Sequence, residues 1–213
     1  MHAITHAGLG WFLANIGDED RRFRGSVLLA SIIPDIDGIT VFLGLTSYDQ
    51  YHHLFCHNLL FSLAVSLISV WFAKKRRIKT FIFTQLAFYT HYFGDYFFTR
   101  YPLYYFWPFS DKAYLSPHGV WIGHPVNYIF CLLALLYFVY IAAKYGRTPI
   151  EPFHPILDLR LVNTCFRRKP LSCSFCGRST NEFCSHCNSS VCKHCAIIDK
   201  NFEIFCSSCF EIR

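Results

Sequence analysis

The chain has 213 residues, 53% of them hydrophobic and only 16% charged, with 23 phenylalanines and 13 tyrosines. That balance is too apolar for an ordinary water-soluble domain and excludes a disordered, strongly solvated polymer. The net charge of +6 raises nucleic acid as a partner, but the basic residues sit where a membrane topology puts them, which argues against it.

In chain order, Ile4 to Ile16 is apolar but short, and Asp18 to Asp20 follow it directly. With His2 and His6 in place of a basic start, it does not read as a cleaved signal peptide. Gly25 to Leu45 is a candidate membrane segment broken by Pro34, Asp35 and Asp37. Leu54 to Ala73 and Pro125 to Ala143 are long enough to cross a bilayer, which takes roughly 20 mostly apolar residues. Ile78 to Phe98 is a further candidate, interrupted by His91 and Asp95. An aromatic loop follows from Arg100 to Gly123, with Trp107-Pro108-Phe109-Ser110 at its centre.

A chain crossing back and forth through these segments puts 18 of its 20 Lys and Arg residues on one side. They are Arg21, Arg22 and Arg24, the run Lys74 to Lys79, and every basic residue after 143; only Arg100 and Lys112 lie opposite. The positive-inside rule then predicts an integral, polytopic membrane protein with a cytoplasmic tail. Residues 146–170 hold Pro149, Pro152, Pro155, Pro170 and Arg167-Arg168-Lys169, and read as a linker near the membrane surface.

The tail, 171–213, contains four C-x-x-C pairs: Cys173/Cys176, Cys184/Cys187, Cys192/Cys195 and Cys206/Cys209. In a reducing compartment such pairs predict zinc rather than disulfides. Each pair offers two thiolates, and two pairs complete a closed tetrahedral site, so two zinc ions are expected. The gap between Cys187 and Cys192 is too tight for those pairs to share an ion, which favours interleaving. Cys173, Cys176, Cys192 and Cys195 then hold one zinc, and Cys184, Cys187, Cys206 and Cys209 the other. The pattern is similar to FYVE-type cross-brace fingers, although Asn181 to His186 replace that family's basic lipid-reading stretch.

The membrane segments carry an unusual supply of ionisable groups, which are costly there and mark function. With basic loops on one side, His6, His52, His53, His57, His91 and Asp95 fall in the opposite half, and Asp35 and Asp37 near the middle. His91 and Asp95 are i,i+4 on one helical face, as are His53 and His57. Mixed imidazole and carboxylate donors suit a divalent ion, Zn, Mn or Fe, that activates water. Asp35 and Asp37 are the candidate catalytic carboxylates, as ligand and general base.

Residues 1–145 resemble the membrane-bound, metal-dependent hydrolases typified by YdjM. The matching pieces, in the family's order, are Thr5-His6, Pro34-Asp35-Ile36-Asp37-Gly38, His52-His53-Leu54-Phe55-Cys56-His57-Asn58, His91-Tyr92-Phe93-Gly94-Asp95 and Trp107-Pro108-Phe109-Ser110. Where the family usually has H-R-G-x-T-H-S, His52 and His57 hold the outer histidines, His53 replaces the basic residue and Asn58 the serine. The resemblance implies a helical membrane domain with a His/Asp metal site and hydrolase activity.

The expected architecture is therefore an all-α polytopic membrane domain of four to five helices over 1–145, a linker over 146–170, and a small α+β two-zinc module over 171–213. The metal ligands expected in the membrane domain are His6, Asp35, Asp37, His52, His57, His91 and Asp95. The expected activity is hydrolysis of an ester or phosphodiester, with membrane lipid as partner and a lipid-linked substrate. The alternative is a non-enzymatic membrane adaptor whose zinc tail binds a cytosolic protein.

Overall fold

Prolines and short polar side chains decide where the helices of the first unit begin and end. The computed structural model describes residues 1–17, 20–41, 53–73, 76–166, 171–180, 182, 184, 189–199 and 203–211. Helix α1 is Ala3–Gly17 and α2 is Arg21–Ile32. Asp20 caps α2, its Oδ1 accepting the Arg22 N–H at 2.9 Å and satisfying one of the otherwise orphaned first-turn donors. Pro34 has no N–H to continue an α-helix, and the chain tightens into a 3₁₀ stretch, Ile33–Val41, that carries Asp35 and Asp37.

Helix α3 spans Leu59–Phe72, and its cap Asn58 accepts the Phe61 N–H through Oδ1 at 2.8 Å. Helix α4 is Arg77–Phe98. Helix α5, Pro125–Tyr145, opens on a proline at its first position and closes on Gly146, whose φ of +69° is the left-handed conformation that glycine adopts without strain. Helix α6, Pro155–Phe166, straddles the boundary between two units, Met1–Asp158 and Leu159–Arg213.

In the first unit α1 packs on α2, α4 and α5, while α4 also pairs with α2 and α3. Two glycines set the closeness of α1. A Cβ on Gly8 would lie 2.5 Å from that of Ala134 on α5, and one on Gly10 would overlap the Ser31 hydroxyl on α2. Small residues at such crossings let helix backbones approach where bulk would hold them apart. Trp11, Ala14, Phe23, Val27, Leu28, Phe88 and Ile141 form the buried apolar core. Residues 146–158 belong to this unit: Arg24 grips Glu151 with two bonds, Nη2 to Oε1 at 2.5 Å and Nε to Oε2 at 3.1 Å.

Helix α3 reverses the polarity of a water-soluble helix. It buries Ser62, Ser66 and Ser69 and exposes Leu60, Leu63, Leu67, Ile68, Trp71 and Phe72. The buried serines meet polar partners on α4. The Gln85 amide nitrogen donates to the Ser62 carbonyl at 2.9 Å and to Ser66 Oγ at 2.8 Å, and the Thr84 and Ser66 hydroxyls lie 2.9 Å apart.

The expectation of four to five crossing helices is met only in part. Among the described residues one helix, Pro125–Tyr145, is long and apolar enough to cross a membrane, with a mean hydropathy of 2.2. Leu59–Phe72 is apolar but has only 14 residues, because residues 53–58 turn toward the 3₁₀ stretch before Asn58 starts the helix. The run from Gly25 is divided at Ile33, where α2 gives way to the 3₁₀ turn.

The second unit, taken by itself, holds two small antiparallel hairpins, β1 (Leu171–Ser172) with β2 (Ser179–Thr180) and β3 (Ala196–Ile198) with β4 (Ile204–Cys206). A one-turn helix, α7, covers Ser207–Phe210. Its core is slight: Val191 and Phe205 are buried beside Cys184 and Cys206.

Candidate metal centre

Four elements of the first unit deliver the ionisable residues to one place. Helix α1 brings His6 and the 3₁₀ stretch brings Asp35. The turn before α3 brings His53 and His57, and α4 brings His91 and Asp95 one turn apart. His6, His53, His57, His91 and Asp95 are all buried. Asp95 lies between the histidines. Its Oδ1 is 3.1 Å from His6 Nε2 and also meets the Met1 amino group. Its Oδ2 is 3.0 Å from His91 Nε2, 3.4 Å from His57 Nε2 and 3.6 Å from His53 Nε2. Asp35 Oδ1 closes the cluster at 3.6 Å from His91 Nε2 and 3.9 Å from His57 Nε2. Two sets of donor atoms each have mutual distances within 4.8 Å, His6/Asp35/His91/Asp95 and His53/His57/Asp95. Either set can hold a metal ion.

The hydrogen-bond chemistry of the cluster fits a cation. His91 Nδ1 lies 2.7 Å from the Ser31 carbonyl oxygen, which only accepts, so Nδ1 carries the proton. His57 Nδ1 lies 2.9 Å from Asp37 Oδ2, again an acceptor. In its neutral form each ring then turns its Nε2 lone pair inward, and these two nitrogens are 3.0 Å apart. Around them Asp95 Oδ2 and Asp35 Oδ2 are buried and accept no hydrogen bond. A pocket of facing lone pairs and carboxylate oxygens is repulsive until a positive charge sits among them. Imidazole nitrogens and carboxylate oxygens are the donors that Zn²⁺, Mn²⁺ and Fe²⁺ share.

Asp37 stands one step behind. Besides His57 Nδ1, its Oδ2 accepts the His53 backbone N–H at 3.0 Å, and the side chain is only 1% exposed. It falls in neither donor set. Such a carboxylate fixes the tautomer and aim of the imidazole it holds. Asp37→Ala is expected to weaken metal retention by the first unit about 10- to 100-fold. A chelator competition on the purified protein reads this, and unchanged retention would remove Asp37 from the site.

His52 lies outside the described residues. His2 packs its ring 5.3 Å from that of Tyr128, apart from either donor set. Two contributors carry little sequence signal. The Ser31 carbonyl is main chain and has none. His53 reaches the cluster from a left-handed turn, φ +72°, although it stands where the resembling family has arginine. The i,i+4 spacing to His57 is the signal that points to it.

In the second unit Cys173, Cys176, Cys192 and Cys195 group within metal-binding distance, as do Cys184, Cys206 and Cys209. The first and third pairs thus share one group, and the second and fourth the other. Cys187 lies outside the described residues. Burial pushes the Cys173 thiol up, but hydrogen bonds from the backbone N–H groups of Cys192, Phe175 and Cys176 outweigh it and bring the pKa to about 6. Hydrogen bonds with the sulfurs of Cys176 and Cys192 push Cys195 up to about 12. Four sulfurs that hold fewer than four protons near neutrality are primed for a cation.

The model of the family described as YdjM inner membrane protein matches residues 1–161. No curated protein and no solved structure matches the chain.

Proposed function

The chain belongs to the YdjM inner membrane protein family, and from that premise we propose that its first unit is a polytopic membrane domain that hydrolyses an ester or phosphodiester of a lipid-linked substrate at a divalent metal. The observation that carries this reading is the cluster of inward imidazole lone pairs and unbonded carboxylate oxygens around Asp95. The reversed polarity of α3, leucines outward and serines inward, supports lipid contact beyond the one long apolar helix.

A divalent ion at this centre supplies Lewis acidity and acidifies a bound water toward a pKa of ~7. The chain's own residues do the rest. Asp37 and the Ser31 carbonyl hold protons on the outer nitrogens of His57 and His91, so that the inner nitrogens are the ones that would meet the ion. Asp35 is the candidate general base: its side chain is 22% exposed against 2% for Asp95, and its Oδ2 carries no hydrogen bond. It is positioned to accept a proton from water as the ester bond breaks and the leaving oxygen is protonated. Ile36, next to it in the chain, is exposed, an apolar margin suited to a substrate with an acyl chain.

The test is turnover by full-length protein against a panel of lipid esters and phosphodiesters. Asp35→Asn is expected to lose about 10²- to 10⁴-fold in rate while the His53/His57/Asp95 set, which lacks Asp35, keeps its metal. Metal-loaded wild type that cleaves nothing in the panel sinks the hydrolase reading.

The tail is read as a cytoplasmic, structural two-zinc module with the interleaved ligand order of FYVE-type fingers. A second reading, an adaptor, draws on exposed Phe175, Ile198 and Phe210, apolar points on the module where a cytosolic protein would dock.

A further inference from the structure

The metal centre offers more donors than one ion takes. Zn²⁺ held by imidazole and carboxylate is four-coordinate, with three protein donors where one position stays open. Here six side chains, His6, His53, His57, His91, Asp35 and Asp95, fall into sets of four and three that share Asp95. A single four-coordinate ion would pass over at least two of them.

The histidines are arranged as two pairs. His6 from α1 stacks on His91 from α4, with ring centroids 3.7 Å apart and planes 19° from parallel. His53 and His57 both come from the turn before α3, and their centroids are 4.3 Å apart. Asp95 stands between the pairs and divides its oxygens. Oδ1 faces His6 Nε2 at 3.1 Å, whereas Oδ2 faces the Nε2 atoms of His57 and His53 at 3.4 and 3.6 Å. His91 Nε2 marks the seam, 3.0 Å from Asp95 Oδ2 and 3.0 Å from His57 Nε2. The two sets therefore abut along one carboxylate. Each half also keeps a buried polar atom without a hydrogen-bond partner, His6 Nδ1 in the first and Asp95 Oδ2 toward the second.

Two-metal sites in hydrolytic enzymes place their ions about 3.5–4 Å apart, a spacing that one aspartate between two imidazole pairs can span. We propose that the first unit holds a pair of divalent ions bridged by Asp95, one completed by His6, His91 and Asp35 and the other by His53 and His57. Four side chains close the first position, and three leave the second open to an exchangeable ligand. The proposal rests on the metal reading of this cluster and is independent of hydrolysis.

The test is a Mn²⁺ titration of full-length protein freed of metal with a chelator, read by electron paramagnetic resonance. Mn²⁺ takes oxygen donors in preference to thiolates, which keeps the tail's cysteines out of the count. Wild type is expected to take up two ions, one for each donor set, and to give the exchange-coupled spectrum of ions that share a bridge. His53→Gln is expected to halve the uptake and leave the spectrum of an isolated ion. His6→Gln with His91→Gln removes the first ion instead and keeps the second. In each variant the ion that stays reports that the rest of the centre is still folded.

Saturation of the wild type at one ion overturns the pair and leaves a single-metal centre whose turnover can still be measured. Two ions without exchange coupling overturn Asp95 as the bridge. Loss of all Mn²⁺ from His53→Gln and from the His6/His91 variant alike shows one site that needs both imidazole pairs, and overturns the division into two. A bridged pair in a protein that cleaves nothing upholds this proposal and sinks the hydrolase reading alone.

Discussion

Asp95→Asn is expected to strip the first unit of metal and, with it, of the proposed hydrolysis. Asp95 is shared by both donor sets, facing His6 through one oxygen and His53, His57 and His91 through the other. Among the described residues no other side chain approaches so many of the cluster's nitrogens. An asparagine keeps the shape but loses the charge, and its amide hydrogens point donors where only a cation balances the field. Removing one partner of a buried charge pair costs on the order of 3–5 kcal/mol, which corresponds to roughly 150- to 4,000-fold in metal affinity. The measurement is elemental analysis of full-length protein beside a turnover assay. The tail's metal serves as an internal standard, because its cysteines lie in the other unit. Wild-type metal content in Asp95→Asn would leave the cluster without a metal-binding role.

The second large effect lies in the tail. Cys192→Ser is expected to release one of two zinc ions and unfold residues 171–213. Among the described residues, Val191 and Phe205 are the buried hydrophobic side chains in that core apart from the cysteines. So small an apolar core cannot stabilise some 40 residues. Binding of structural zinc supplies about 10–16 kcal/mol in comparable modules, and here it would stand in for the missing core. Cys192 sits at a crossing point, its sulfur 3.4 Å from that of Cys176. Zinc counting with hydrogen exchange over the tail reads the result. Native protection in Cys192→Ser at full zinc content would show that the module does not depend on that thiolate.

Much of the site was legible because its chemistry resides in side chains that a membrane segment does not carry without cause. His91 and Asp95 were readable as a pair from helical spacing alone, and α4 runs unbroken through both. Asp35 and Asp37 were harder. Read as i,i+2 neighbours they looked equivalent, but they lie on a 3₁₀ stretch at three residues per turn, where such positions diverge by about a third of a turn. One therefore faces the cluster and the other the back of His57. The length of α3 was misjudged for a different reason. Hydropathy sees Leu54 and Phe55 as the start of an apolar run, whereas Asn58 starts the helix and the residues before it bend toward the site.

The serine face of α3 has a consequence for the precision of the metal centre. Hydrocarbon side chains slide past one another at little cost, but Ser62, Ser66, Thr84 and Gln85 engage like teeth at a single setting. A slip of one turn, about 5.4 Å, would break every one of those bonds and carry His57, at the foot of α3, past His91 on α4. The alignment of the His57 and His91 imidazoles is thus keyed by a ratchet of hydroxyls and one amide farther along the helices. The outward leucines are free to change with the lipid they meet.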